Sequence, residues 1–368
     1  MKILYVTTVG LTMTFFGSII RELLDKGHTV DIACNESDSQ VPDCYRDWGC
    51  GIHRIDCVRT PFAAGNARAV GQIRRLVREN GYGIVHCHTP IAAACTRLAC
   101  KDLRKEGVRV FYTAHGFHFY KGAPLKSWLL YYPIEKLCAH FTDTLITINR
   151  EDYALAKRKM KAGQVVYVPG VGIDVDKFRN TVVDRLVKRK ELGIPEDAFL
   201  LLSVGELNEN KNHQIVIRTL AELDDSSIHY AIAGNGALAE YLTALAEQLG
   251  VADRVHLLGY RRDVAELYKT ADVYVLPSLR EGLNVSIMEA MASGLPVVCN
   301  RIRGNTDLVN TLTGVLCSAH NACDLLRAIQ CLRTNRQLRE EMGQAGSRSA
   351  ERFSVGEVNR EMLRMYGE

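Results

Sequence analysis

Apolar residues along the chain gather into short continuous runs, separated by longer stretches in which they return at helical spacing. In the first half the runs are "KILYVTT", "HTVDIAC", "IHRIDC", "GIVHCH", "VRVFYTA", "DTLITIN" and "VVYVPG". In the second they are "FLLLSVG", "IHYAIAG", "RVHLLG", "ADVYVLP", "LPVVCN" and "GVLCS". Continuous apolar runs predict strands buried on both faces, and the periodic stretches between them predict the helices that cover them. Parallel sheets wrapped by helices follow from that alternation, so the expected fold class is α/β.

A chain of 368 residues exceeds one average core. The two series of strands predict two Rossmann-like domains in tandem, facing a central cleft. The break is expected near "VPGVGIDVDKFRN", where Pro169, Gly170 and Gly172 stop a strand. The domains are therefore residues 1–170 and 171–352. The last stretch, "FSVGEVNREMLRMYGE" at 353–368, reads as an amphipathic helix with Ser354 as its N-cap. With no strand of its own to cover, it is expected to cross back to the N-terminal domain.

Charge changes this picture a little. Residues 1–168 hold 23 lysines and arginines against 15 acids, while the remainder holds 23 against 27. A basic first half suits an anionic surface or ligand, or is simply a solvated face. The 12 cysteines lie singly with no C-x-x-C, as buried reduced thiols in a cytosolic protein do. The N-terminal stretch has no A-x-A site and reads as the first strand rather than a leader. No apolar run is long enough to span a bilayer. The run "FYKGAPLKSWLLYYPIEKLCAHF" nevertheless combines aromatics with lysines, which suits an interfacial helix or an ordinary core stripe.

Ligands of open α/β sheets bind beyond the carboxyl ends of the strands, so the chemistry is sought in those loops. In "SLREGLNVSIMEAMASGLPVV" Gly282 permits the turn, Glu281 precedes a helix and Glu289 lies about a turn inside it. The N–H groups of Leu283, Asn284 and Val285 at that helix start form an anion site suited to a diphosphate. A carboxylate on either side of it can accept hydroxyl groups of a sugar or a ribose. In "SVGELNENKNH" Lys211 is placed to meet phosphate after the turn at Gly205. "AIAGNG" adds Gly234 and Gly236 but lacks the third glycine of the dinucleotide fingerprint, so a mononucleotide is favoured over NAD. "LLGYRRDV" offers Tyr260 and Arg261 to a base. In the first domain "HCHTP" and "YTAHGFHFYKG" bring His86, His88, His115 and His118 to strand ends. Without a further ligand at metal spacing they point to hydroxyl contacts or loop capping, and no metal is expected.

These stretches, in this order, resemble the retaining family 4 glycosyltransferases of the GT-B fold. "EGLNVSIMEAMASGLPVV" is similar to their E-x7-E signature, and "SVGELNENKNH", "AGNGALAEYL", "HLLGYRRDV" and "IRGNTDLV" accompany it. "HCHTP" and "YTAHGFHFYKGAPLKSWLLYYPIEKL" resemble the branch that builds capsular and exopolysaccharides and lipid-linked oligosaccharides in bacteria. The resemblance implies transfer of a hexose or N-acetylhexosamine from a nucleoside-diphosphate sugar, UDP by branch, to a polyprenyl-diphosphate-linked saccharide. It implies no cofactor and no nucleic-acid partner, and a cytoplasmic protein peripheral at the inner membrane face. It places Glu281 and His115 on the donor sugar, Glu289 on the ribose, Lys211 on the diphosphate, and Tyr260 with Arg261 at the base. One departure stands out. Where many members carry an arginine that pairs with phosphate, this chain has Glu206. Two other readings use the same fold: a nucleotide-sugar epimerase, and a non-catalytic partner subunit.

Overall fold

The structure is a computed structural model that describes residues 1–367 except 224 and 320. It divides into two compact units. The first comprises Met1–Val171 with the C-terminal segment from Val358, and the second Gly172–Glu357.

Every apolar run of the sequence forms a strand. Unit one holds β1 (Lys2–Val9), β2 (Thr29–Asn35), β3 (Ile52–Arg54), β4 (Ile84–His88), β5 (Arg109–Ala114), β6 (Thr144–Thr147) and β7 (Gln164–Tyr167). They make one parallel sheet in the order β3-β2-β1-β4-β5-β6-β7. Alternate side chains of a strand point to opposite faces, so β1 feeds two cores. Leu4 and Val6 pack on one face with α2 (Ala64–Asn80) and α3 (Pro90–Cys100). Ile3 and Tyr5 pack on the other with α1 (Gly17–Asp25). On the first face α4 (Leu125–Ala139) lies beside α3.

Unit two holds β8 (Phe199–Val204), β9 (Ile228–Ala233), β10 (Val255–Gly259), β11 (Val273–Leu276), β12 (Val297–Asn300) and β13 (Gly314–Cys317). The parallel order is β10-β9-β8-β11-β12-β13. Chain direction across the sheet reverses between β1 and β4 in unit one, and between β8 and β11 in unit two. At such a point the two flanking loops diverge and leave a crevice beyond the strand ends. In unit two the loop after β11 leads into α5 (Val285–Ala292).

The final helix, α6 (Val355–Tyr366), ends in unit one, where Val358, Met362, Leu363 and Tyr366 complete the core around Tyr5. Ser354 caps it, its Oγ accepting the Glu357 N–H at 3.3 Å. The two segments through which the chain passes between units run side by side. The Ile173 N–H donates to the Phe353 carbonyl and the Val355 N–H to the Ile173 carbonyl, both at 2.9 Å. Gly172 (φ 82°) is required there, since a Cβ would come within 2.9 Å of the Val355 Cα. Among the described residues no helix is long and apolar enough to cross a membrane.

Candidate active site

The reversal in unit two brings the loops after β8 and β11 together. Two bonds zip them: the Leu279 N–H donates to the Asn210 carbonyl at 2.8 Å, and the Asn210 side-chain Nδ2 donates to the Arg280 carbonyl at 2.9 Å. Across this seam Lys211 Nζ meets Glu281 Oε1 at 2.7 Å, with both side chains largely covered. The residues read separately as phosphate and sugar ligands are thus one ion pair. An ammonium has three N–H donors, so Lys211 can keep this bond and still present donors to a ligand.

The loops around the pair are held by short side chains. Asn208 Oδ1 accepts the Lys211 N–H at 3.0 Å, and Glu206 accepts the Asn208 amide at 2.9 Å. Glu206 therefore braces the lysine's loop from an exposed position. Asn300, at the end of β12, donates to the carbonyls of Pro277 and Ser278 at 2.8 and 3.0 Å. Arg303 is buried, and its Nε donates to the Glu281 carbonyl at 3.2 Å. Gly282 does not take the left-handed backbone that its turn role called for. That conformation belongs to Gly304 (φ 79°), where a Cβ would lie 2.2 Å from the Gly282 oxygen.

The glycines of "AGNG" answer a packing demand. A Cβ on Gly234 would come within 1.9 Å of the Gly205 oxygen, and one on Gly236 within 2.3 Å of the Leu207 oxygen. They allow the β9 loop to lie directly on the β8 loop. Gly205 in turn lies beneath the lysine stem, 3.3 Å from Lys211 Cε to where its Cβ would stand.

At the start of α5, Asn284 is the N-cap and its Oδ1 accepts the Ile287 N–H at 3.1 Å. The N–H groups of Leu283, Asn284 and Val285 have no acceptor among the described residues. Inside the helix, Glu289 accepts the Tyr268 hydroxyl at 2.9 Å. Burial pushes its carboxyl up to about 7, against the smaller opposing effects of Tyr268 and Lys177. Glu289 therefore titrates in the neutral range.

The turn after β10 is only partly as expected. Tyr260 is exposed and follows Gly259 (φ 65°), whose carbonyl accepts the Gly234 N–H at 2.8 Å. The Arg261 side chain instead joins Asp263 and Glu191, with Nε to Asp263 Oδ1 at 2.8 Å and Nη2 to Glu191 Oε1 at 2.7 Å. That network, shared with Lys188, engages its guanidinium away from the pair of Lys211 and Glu281.

His115 lies in unit one. Its Nε2 is 3.2 Å from His88 Nδ1, and the His88 ring lies 4.2 Å from that of His86, tilted by 36°. His86 is bonded on both nitrogens, through Nδ1 to the Tyr366 hydroxyl of α6 and through Nε2 to Thr113 Oγ1 at 2.8 Å. Burial holds His86 down to about 3 and His115 to about 4. The cluster is therefore neutral at ordinary pH and suited to hydroxyl contacts. Among the described residues no group of histidines, cysteines and acids is arranged to hold a metal ion.

Residues 184–349 match the family described as "Glycosyl transferases group 1", and residues 13–170 match "Glycosyl transferase 4-like domain". EpsD of Bacillus subtilis (strain 168), named as a glycosyltransferase, is 38% identical over 84% of this chain and 82% of its own length. The chain belongs to the group 1 glycosyltransferases. An Escherichia coli relative of this glycosyltransferase is named UDP-Gal:alpha-D-GlcNAc-diphosphoundecaprenol alpha-1,3-galactosyltransferase. It is 29% identical over 74% of each chain. The fold is that of Anabaena Alr3699/HepE, solved in complex with UDP, at a TM-score of 0.84 and 18% identity over the whole of both chains. It is also that of WaaG, a glycosyltransferase of lipopolysaccharide biosynthesis, at a TM-score of 0.77 and 19% identity over 99% of both chains. Both are GT-B structures, with two Rossmann-like domains.

Sequence reasoning on this glycosyltransferase missed Arg303, Asn300, Tyr268 and Tyr366. Arg303 lies inside "IRGNTDLV", a stretch noted as a whole, and Asn300 stands two positions before it; a cation at a strand end was the available signal. Tyr268 and Tyr366 sit at helical core spacing and carried no signal of their own.

Proposed function

We propose that this transferase moves a hexose or N-acetylhexosamine from a UDP-sugar to a polyprenyl-diphosphate-linked saccharide, with retention, in the assembly of a surface polysaccharide. The observation that carries this reading is the pair of Lys211 and Glu281 at the sheet reversal, beside the unsatisfied N–H groups that open α5. The name of the Escherichia coli relative supports the acceptor class, and the UDP complex of a protein with this fold supports the donor.

In this reading Lys211 and the N–H groups of Leu283, Asn284 and Val285, reached past Gly282, hold the diphosphate. Arg303 adds a guanidinium to the same loop cluster, where Glu206 adds none. Glu281 takes a hydroxyl of the donor hexose, Glu289 takes the ribose, and the backbone at Tyr260 and Arg261 meets the base. Gly205, Gly234 and Gly236 allow close approach of the nucleotide. His115, neutral, contacts a hydroxyl of the donor sugar. The bond from the anomeric carbon to the β-phosphate oxygen breaks as a bond to the acceptor oxygen forms on the same face. The acceptor proton leaves with the diphosphate. Charge develops on that diphosphate, where a preorganised ammonium and a helix N-terminus act most strongly. No metal or cofactor has a role, and the protein works at the cytoplasmic membrane face where lipid-linked acceptors are elongated.

The test is incubation with a panel of labelled nucleotide sugars, with and without a lipid-linked saccharide. Labelled product on the lipid, with the anomeric configuration of the donor, is the expected result. Conversion of the free nucleotide sugar without acceptor would replace the reading with an epimerase. Absence of turnover with any donor, together with a co-purifying transferase, would replace it with a partner subunit.

A further inference from the structure

We propose that unit one carries a groove for the isoprenoid chain of the acceptor, continuous with a polar cavity that seats its diphosphate. This rests on the proposed acceptor class and adds the place where the lipid is held.

The groove runs between α2, α3 and α4 and encloses about 460 Å³, within the range of small-molecule sites. Phe62, Val70, Ile91, Leu98, Ile134 and Leu137 are among its walls. Several of these expose apolar surface that a globular domain ordinarily buries: Phe62 is 81% exposed and Leu137 57%. A second cavity, of about 330 Å³, lies at the reversal between β1 and β4 and is lined by Thr8, Thr12, Arg59, Thr89 and His118. The two share Pro90, Ile91 and Tyr131 as common wall. One end is thus apolar and the other offers hydroxyls, an imidazole and a cation, as an amphiphile with an anionic head requires.

Charge and backbone strain favour this occupant. Arg59 is exposed and has no ion-pair partner among the described residues. From residue 57 to residue 78 the chain carries five arginines and no acid. Around α4, Lys121, Lys126 and Lys136 face a single acid, Glu135, which is buried and bound to Arg97 at 2.8 Å. Among the described residues three that are not glycine have positive φ: Phe62 (φ 63°), Thr89 (φ 62°) and Asn212 (φ 54°). Such strain persists where surrounding structure demands it and gathers at ligand sites. One of the three lines the groove, one lines the polar cavity, and the third lies in the loop of Lys211.

The experiment measures binding of geranylgeranyl diphosphate, geranyl diphosphate and inorganic diphosphate to the full chain, without donor. The longer prenyl diphosphate should bind at least about tenfold more tightly than the shorter, because buried methylene groups add affinity. Ala94→Phe, which fills the groove, should abolish that chain-length difference. Phe62→Asn should reduce it, and at an exposed position that suits asparagine's backbone it keeps the test usable if Ala94→Phe fails to fold. Arg59→Gln should weaken all three probes by a similar factor. UDP affinity serves as the separate check of folding in each variant.

Equal affinity for both prenyl diphosphates would overturn the proposal. So would a chain-length difference that survives groove filling. Groove variants that only reduce binding to phospholipid vesicles, or only dissociate a dimer, would assign the face to a bilayer or to a second copy, and would overturn it too. If transfer to lipid-linked saccharide occurs with no dependence on chain length, the site fails and the function stands. If prenyl diphosphates bind as described but no sugar is transferred, the function fails and the site stands.

Discussion

The same sheet reversal occurs in both units, yet the two ends are built from different chemistry. In unit two the loops carry ions and short amides that cross-tie one another, around Lys211, Glu281 and Arg303. In unit one the loops carry neutral histidines whose partners lie deep in the core, ending at Tyr366. Topology alone provides a crevice; the loop residues decide what it can bind. A glycine-lined crevice tied by ions suits a nucleotide's diphosphate, whereas one lined by hydroxyls, histidines and Arg59 beside an apolar groove suits sugar hydroxyls and an amphiphile with an anionic head.

The contrast makes its strongest claim at Lys211. Lys211→Ala should lower turnover by about 100-fold to 1000-fold, as removal of a preorganised electrostatic donor does. It should also lower the unfolding temperature, because it leaves the largely covered Glu281 carboxylate without its ion-pair partner. Steady-state kinetics and a melting curve on the same sample decide it. Activity near that of the wild type would show that the ion end of unit two is structural, and the contrast would collapse.

The next effect concerns pH. The Glu289 carboxyl is raised above its unfolded value, so the folded state binds the proton more tightly. Its contribution to stability is present at low pH and is lost as pH rises from about 4.5 to about 7. The histidines of unit one are lowered, so their contribution is present above about 6.5 and is lost as pH falls towards about 4. Glu289→Gln should remove the first slope alone, so that the variant's stability relative to the wild type is about 3 kcal/mol more favourable above pH 7 than in acid. With Glu289 in its proposed place on the ribose, UDP affinity of the wild type should rise through pH 7, where the carboxylate becomes an acceptor only, and should be flat in the variant. Isothermal titration from pH 6 to pH 8 checks this.

The smallest effect tests the other end. Tyr366→Phe removes the hydroxyl that links α6 to His86 and leaves a buried ring nitrogen without its partner, at a cost of about 1–2 kcal/mol. Thermal unfolding should report that loss while UDP binding is unaffected. Loss of UDP affinity would show that the two ends are not independent.

Much of this was legible in the residues, for reasons that differ by feature. Strands buried on both faces must be continuously apolar, so "GIVHCH" and "ADVYVLP" announced β4 and β11 without any tertiary information. The helix start at Asn284 was legible because capping is local, and so was the Ser354 cap. Lys211 and Glu281 were each visible as polar residues at strand ends. Their pairing was not, because 70 positions separate them in the chain and only the reversal between β8 and β11 joins them.

Arg261 shows the limit from the other side. Its position in a strand-end turn matched the expectation, but side-chain direction depends on neighbours, and Glu191 and Asp263 draw it elsewhere. The role of Gly234 and Gly236 likewise emerged only when the β8 loop was seen lying against them.

By itself, then, the sequence determined the elements, their parallel arrangement and the polar residues at their ends, since hydrophobic periodicity and capping act over a few residues. Only the tertiary structure decided which ends meet, which charges neutralise one another and where an apolar groove adjoins a polar cavity. Those outcomes depend on sheet order and on contacts between residues far apart in the chain, which no local pattern encodes.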